Sequence, residues 1–169
     1  MTNQDITDRI WKIVEKVGVC MLTTQFHGGM RARPLEARPD RNQNLIFFVT
    51  DARSAKDDEV QAAPDVGVVF IDQKANAFLS ITGRAQVLTD ADKASAIWRK
   101  TDDVWWPDGP TDTNVRVLKV TPITAELWDG PASSVVTAYE FAKSLLTGVE
   151  PNLGENRKLT AKIRSSKFG

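Results

Sequence analysis

Six short runs rich in β-forming residues follow one another along the chain, and most connections between them are tight turns. Parallel strands need crossovers of a dozen residues or more, so the runs are expected to pair mainly antiparallel. The runs are VCMLTTQ (19–25), Met30 to Arg38, LIFFVT (45–50), DVGVVFID (65–72), AFLSITGRAQVL (77–88) and Val115 to Trp128. The segments Phe26-His27-Gly28-Gly29, Pro39-Asp40-Arg41-Asn42, Gln73-Lys74-Ala75-Asn76 and Asp129-Gly130-Pro131 read as turns. Six antiparallel strands lose their unpaired edges by closing into a barrel, with short helices over its sides and ends.

Ile6, Ile10, Ile13, Val14 and Val17 share one face of a helix over 4–17, which Gly18 ends. Further helices are expected over 54–62, with Ser54 as N-cap and Pro64 as stop, over 89–100 through Ala94, Ile97 and Trp98, and over 134–146. Gly83 inside a long strand predicts a bulge, and Pro122 an edge or kink. The expected organisation is a barrel domain over 1–146 and a flexible basic tail over 147–169.

The 169 residues carry 22 basic and 22 acidic side chains, a balance that argues against a broad grip on nucleic acid or anionic membrane. One cysteine, Cys20, excludes an internal disulfide, and one histidine, His27, excludes any site needing two imidazoles. No apolar targeting segment or membrane-length run is visible, so a cytoplasmic protein is expected.

Arg31 and Arg33 project from one face of a strand and make an anion site unless that face is simply wet. In Phe48-Val49-Thr50-Asp51-Ala52-Arg53-Ser54-Ala55-Lys56 a strand tip leads into a helix start, an arrangement suited to phosphate. Lys56 opposes the helix dipole there and makes more sense beside a bound anion; the plainer reading is a capped helix with an exposed Lys. Strands 30–38 and 45–50 are expected to pair, bringing Arg31, Arg33, Ser54 and Lys56 together. Asp57, Asp58 and Glu59 read as a solvated helix face. Cys20 reads as a core residue and His27 as a surface turn residue. Trp105-Trp106-Pro107 reads as packing on the barrel, a dimer anchor or the wall of a pocket.

The order helix, VCMLTT strand, Gly turn, RARPL, then FFVTDARSAK resembles the pyridoxamine 5′-phosphate oxidase-like split barrels, in particular the bacterial general stress proteins that bind flavin mononucleotide (FMN). The resemblance runs from about residue 5 to Trp128-Asp129, where the residue before Trp128 is Leu127 rather than an aromatic. It implies FMN as cofactor and a homodimer with flavin at the interface. It places Arg31, Arg33, Pro34 and Leu35 along the flavin, Val49 and Thr50 at the ring edge, Ser54 and Lys56 on the phosphate, and Trp128 against the flavin from the same or the partner subunit; Trp106 is a candidate wall of that pocket. The implied role is an oxidoreductase or a flavin carrier, with no catalytic acid or base evident. Phe78 stands where the authentic oxidase has a Gln, and no Arg-Leu-x-x-Arg-like segment follows, so authentic pyridoxamine-phosphate oxidation is not expected. The alternatives are a non-enzymatic barrel for single-stranded nucleic acid or a protein partner, and the same fold holding a deazaflavin or haem.

Overall fold

The computed structural model describes residues 3–130, 143–145, 148 and 157–162. Helix α1 (Asn3–Val17) precedes β1 (Val19–Phe26), β2 (Gly29–Glu36), β3 (Arg38–Asp40) and β4 (Leu45–Asp51). Then come α2 (Lys56–Ala62), β5 (Asp65–Asp72), β6 (Ala77–Leu88), α3 (Ala91–Ile97), β7 (Val115–Asp129) and β8 (Arg157–Lys162). The strands form one antiparallel sheet in the order β2-β1-β5-β6-β7-β4-β3, with β8 added on β7.

Among the described residues there are therefore eight strands where six are expected. Strand 30–38 is broken at Ala37, whose N–H bonds Gly18 O at 2.7 Å instead of continuing a ladder. Before the break the chain pairs with β1; after it, with β4. One chain segment thus joins both ends of the strand order and closes the barrel. The expected pairing with 45–50 is made only by β3, while β2 lies at the far end of the sheet from β4. The other added strand, β8, falls inside the stretch expected to be a flexible tail. The helix expected over 134–146 lies outside the described residues except for 143–145, which are helical.

The inward positions of the alternating strands fill the barrel: Leu22, Val68, Phe70, Leu79, Ile81, Leu118 and Leu127 are essentially inaccessible. Helix α1 closes one side with Ile10, Ile13 and Val14 as expected, and adds Trp11. Gly18, in the left-handed region at φ 71°, ends that helix. The register shift at Thr82/Gly83 is the expected bulge. A Cβ on Gly83 would stand 2.8 Å from Thr121 O, opposite Pro122, so the close crossing requires glycine.

Strand β4 is buried on both faces, which explains its unbroken apolar run. Ile46 and Phe48 face the barrel, while Phe47 and Val49 join Ala94, Trp106, Val115 and Val117 in a second cluster outside it. That outer cluster fixes the loop carrying Trp105 and Trp106 over the tip of β4.

Candidate binding cleft

A cleft of about 410 Å³ opens beside the tip of β4. Its walls are Pro34, Leu35 and Glu36 at the end of β2, Val49, Thr50 and Asp51 of β4, Arg53 and Lys56, and Trp105 and Trp106. Arg38 and Asp102 complete the lining. The volume lies within the range of small-molecule sites, about 300–1,000 Å³. Six residues expected on sequence grounds meet here: Pro34, Leu35, Val49, Thr50, Lys56 and Trp106.

Pro34, Leu35, Val49 and the two Trp make part of the lining apolar. Trp106 is 7% exposed, stacks at a tilt on Trp98 with ring centroids 6.0 Å apart, and donates its indole N–H to Asp51 at 3.2 Å. Trp105, by contrast, is 73% exposed on the rim.

The remaining lining side chains are polar or charged. The Asp51 carboxylate receives the backbone N–H, Nε and Nη2 of Arg53 at 2.8, 2.8 and 2.6 Å. The Arg53 guanidinium is the main reason its carboxyl drops to about 2. Lys56 is half-buried and in no ion pair among the described residues. Burial, and then the positive charge of Arg33, push its pKa down. The hydroxyls of Thr50 and Ser54 and one oxygen of Asp57 are buried without a hydrogen-bond partner among the described residues; of the three, only Thr50 lines the cleft. Burial pushes the Asp57 carboxyl up, against the opposing charges of Arg116 and Lys56.

Several expectations need correction. Ser54 is not a cap: the residue before α2 is Ala55, and no side chain caps the helix. With only seven residues, α2 supplies side chains to the site rather than a strong dipole. Arg31 and Arg33 do share a face, but they turn to Glu59 instead of lining the cleft. Arg33 Nη2 donates to Glu59 Oε1 at 2.8 Å and Arg31 Nη1 to the same oxygen at 3.3 Å. Asp57 and Glu59, read as part of a solvated face, are buried, and only Asp58 is exposed. Val60 carried part of the missing signal: as the apolar anchor of this short helix, it draws in Asp57, three residues earlier on the same face. Trp128 sits on β7 between Phe78 of β6 and Lys158 of β8 and does not line the cleft.

Sequence reasoning also missed Arg38 and Asp102, a buried ion pair at 2.8 Å under the Trp105–Trp106 loop. Cys20 is buried and His27 lies in an exposed turn, both as expected. A larger cleft of about 670 Å³, also lined by Arg38, contains none of the expected site residues. The described residues include no group of three or more potential metal ligands. No helix among them is long and apolar enough to cross a membrane.

The sequence profile described as pyridoxamine 5′-phosphate oxidase like matches residues 5–152. Among solved structures, a candidate general stress protein 26 from Jannaschia sp. superposes with a TM-score of 0.75 at 26% identity, covering 96% of this chain and 100% of that one. The general stress FMN/FAD binding protein of Xanthomonas citri superposes with a TM-score of 0.67 at 23% identity, covering 75% of this chain and 89% of its own. Protein bli-3 of Neurospora crassa is 22% identical over 123 residues, 68% of this chain. The match spans only 59% of that relative's length.

Proposed function

This chain belongs to the pyridoxamine 5′-phosphate oxidase-like family, and from that premise we propose that it binds FMN in the cleft beside β4. The observation that carries the reading is that one cavity joins apolar walls to a cation in no ion pair and a hydroxyl without a partner among the described residues. Thr50, whose buried hydroxyl is unpartnered among the described residues, lines it with Lys56, and so do Pro34, Leu35, Val49 and Trp106; Ser54, with a second unpartnered buried hydroxyl, lies two residues before Lys56 without lining the cleft. A phosphate monoester supplies the acceptors that those hydroxyls and the ammonium lack; a planar ring fits the apolar walls. The X. citri neighbour, named as an FMN/FAD binding protein, supports the same reading.

Lys56, Thr50 and Ser54 would hold the phosphate, and Arg53 would screen it from Asp51. Pro34, Leu35, Val49 and Trp106 would orient the ring and exclude water from its face. Bound flavin supplies hydride and electron transfer. The protein is then a flavin-dependent oxidoreductase or flavin carrier of the general stress type, working in the cytoplasm and not oxidising pyridoxamine phosphate. The exposed apolar side chains Val19, Met21, Ile71 and Phe78 on β1, β5 and β6 support a homodimer.

Reconstitution tests the proposal. Titrating FMN into the purified protein is expected to quench flavin fluorescence saturably and leave a yellow protein after desalting. Lys56→Ala is expected to weaken FMN about tenfold, the worth of one charge-assisted hydrogen bond. A protein that remains colourless and quenches no flavin refutes the reading.

A further inference from the structure

Beside the cleft, Thr24 of β1, Arg31 and Arg33 of β2 and Glu59 of α2 form one bonded unit. Thr24 is fully buried and Glu59 is 8% exposed. The Thr24 hydroxyl donates to Glu59 Oε2 at 2.6 Å and accepts from Arg33 Nη1 at 2.8 Å. Arg33 Nη2 closes the triangle on Glu59 Oε1 at 2.8 Å. Arg33 is thus held at two points on buried acceptors. Arg31 is held less: its contact to Glu59 is 3.3 Å, its side chain is about half exposed, and its guanidinium lies over the Phe26 ring.

Lys56 precedes Glu59 by three residues on α2, so the two are neighbours on the helix surface. Arg33 is close enough for its charge to depress Lys56. Two like charges held together repel, and an exposed Arg on an edge strand would ordinarily swing away into water. Here the fork to Thr24 and Glu59 prevents that. Asp57, Asp51 and Glu59 all lie near enough to act on Lys56, so what the corner offers an anion is geometry rather than net charge: Lys56 is in no ion pair among the described residues, and Arg33 is fixed close to it.

We infer that Glu59 is a positioning residue that holds Arg33 near Lys56, outside the cleft lining itself, so that its fixed charge reinforces the Lys56 ammonium towards a dianionic phosphate monoester. The inference rests on the flavin reading above and adds how the site selects the phosphorylated form. Glu59 need not touch the ligand: it removes the reorganisation that binding would otherwise require.

FMN and riboflavin share the ring and differ by the phosphate, so the ratio of their dissociation constants isolates this effect from fold damage. The wild-type protein is expected to prefer FMN, and Glu59→Gln to shrink that preference about tenfold, the worth of one hydrogen bond to a charged group. Glu59→Asp is expected to recover part of it. Arg33→Lys keeps the charge but cannot span both acceptors, and is expected to lose the preference to a similar extent even if Glu59→Gln fails to fold. Riboflavin affinity should move little in any of them. A wild-type preference that survives intact in Arg33→Lys and in folded Glu59→Gln overturns this inference and leaves the flavin reading standing. Equal binding of FMN and riboflavin by the wild type overturns this inference and the phosphate placement together, and absence of any flavin binding overturns the earlier reading as well.

Discussion

Asp102→Ala is expected to loosen the wall of the cleft and destabilise the whole protein. Arg38 and Asp102 have side chains 6% and 8% exposed, so they form a pair withdrawn from water. Arg38 Nη2 donates to both Asp102 oxygens at 2.8 and 3.1 Å, and Nη1 donates to Glu36 O at 2.7 Å. Asp102 also accepts the Arg99 backbone N–H at 2.9 Å, and its own carbonyl receives the N–H groups of Trp105 and Trp106. Removing one partner of a buried pair typically costs about 3–5 kcal/mol, because the remaining charge is stranded. Arg38 retains the Glu36 carboxylate at 3.3 Å, so the lower end applies, about 3 kcal/mol. At about 2–4 °C per kcal/mol for a chain of this size, Tm should fall by about 6–12 °C in a circular-dichroism melt. FMN affinity should fall with it, since Asp102 anchors the turn from which both Trp residues hang. The double variant Arg38→Met, Asp102→Leu removes both charges together and should recover most of the lost stability. A single variant melting within about 2 °C of wild type, or a double variant less stable than the single, refutes the reasoning.

Two further expectations follow from the buried titratable groups. Glu59 is held at about 2, chiefly by Arg33, and Asp51 at about 2, chiefly by Arg53. Both lie below their ordinary values, so their stabilisation is complete above the usual carboxylate range and is lost as pH falls towards about 2. Urea midpoints should therefore decline between about pH 5 and about pH 2, and Glu59→Gln should flatten that decline; an equally steep decline in the variant counts against the assignment. Burial pushes the Cys20 thiol up to about 12, so iodoacetamide should label it in urea and not in the native protein at neutral pH. Native labelling at the unfolded rate would show that β1 is not packed as described.

How much of this was legible in the sequence depends on the range of the interaction concerned. Period-2 and period-3.6 patterns are local, and they located β1, β4, β5, β6, β7 and α1 to within a residue or two. Gly83 was equally legible, because a glycine in a strand interior marks a close crossing wherever the partner lies. The break at Ala37 was not legible: no residue there disfavours a strand, and only the pull of two different neighbours, β1 and β4, divides the segment. The arginines show the same limit at the site. Their spacing correctly put Arg31 and Arg33 on one face, but their direction depends on Glu59, 26 residues beyond Arg33 and on another element. A carboxylate in a charged helical run such as Lys56-Asp57-Asp58-Glu59 looks solvated until the barrel brings two guanidiniums against it. Burial then becomes favourable for Glu59 because the partners arrive already fixed on β2 and β1. The cleft follows the same logic. Its apolar wall was readable one residue at a time, whereas its electrostatics are a property of pairs: Arg53 with Asp51 and Arg38 with Asp102 in its lining, and Arg33 with Glu59 outside it. Lys56 stands out because the two arginines that line the cleft, Arg53 and Arg38, are each paired with a carboxylate, and that makes it the lining cation to which an arriving anion has first claim.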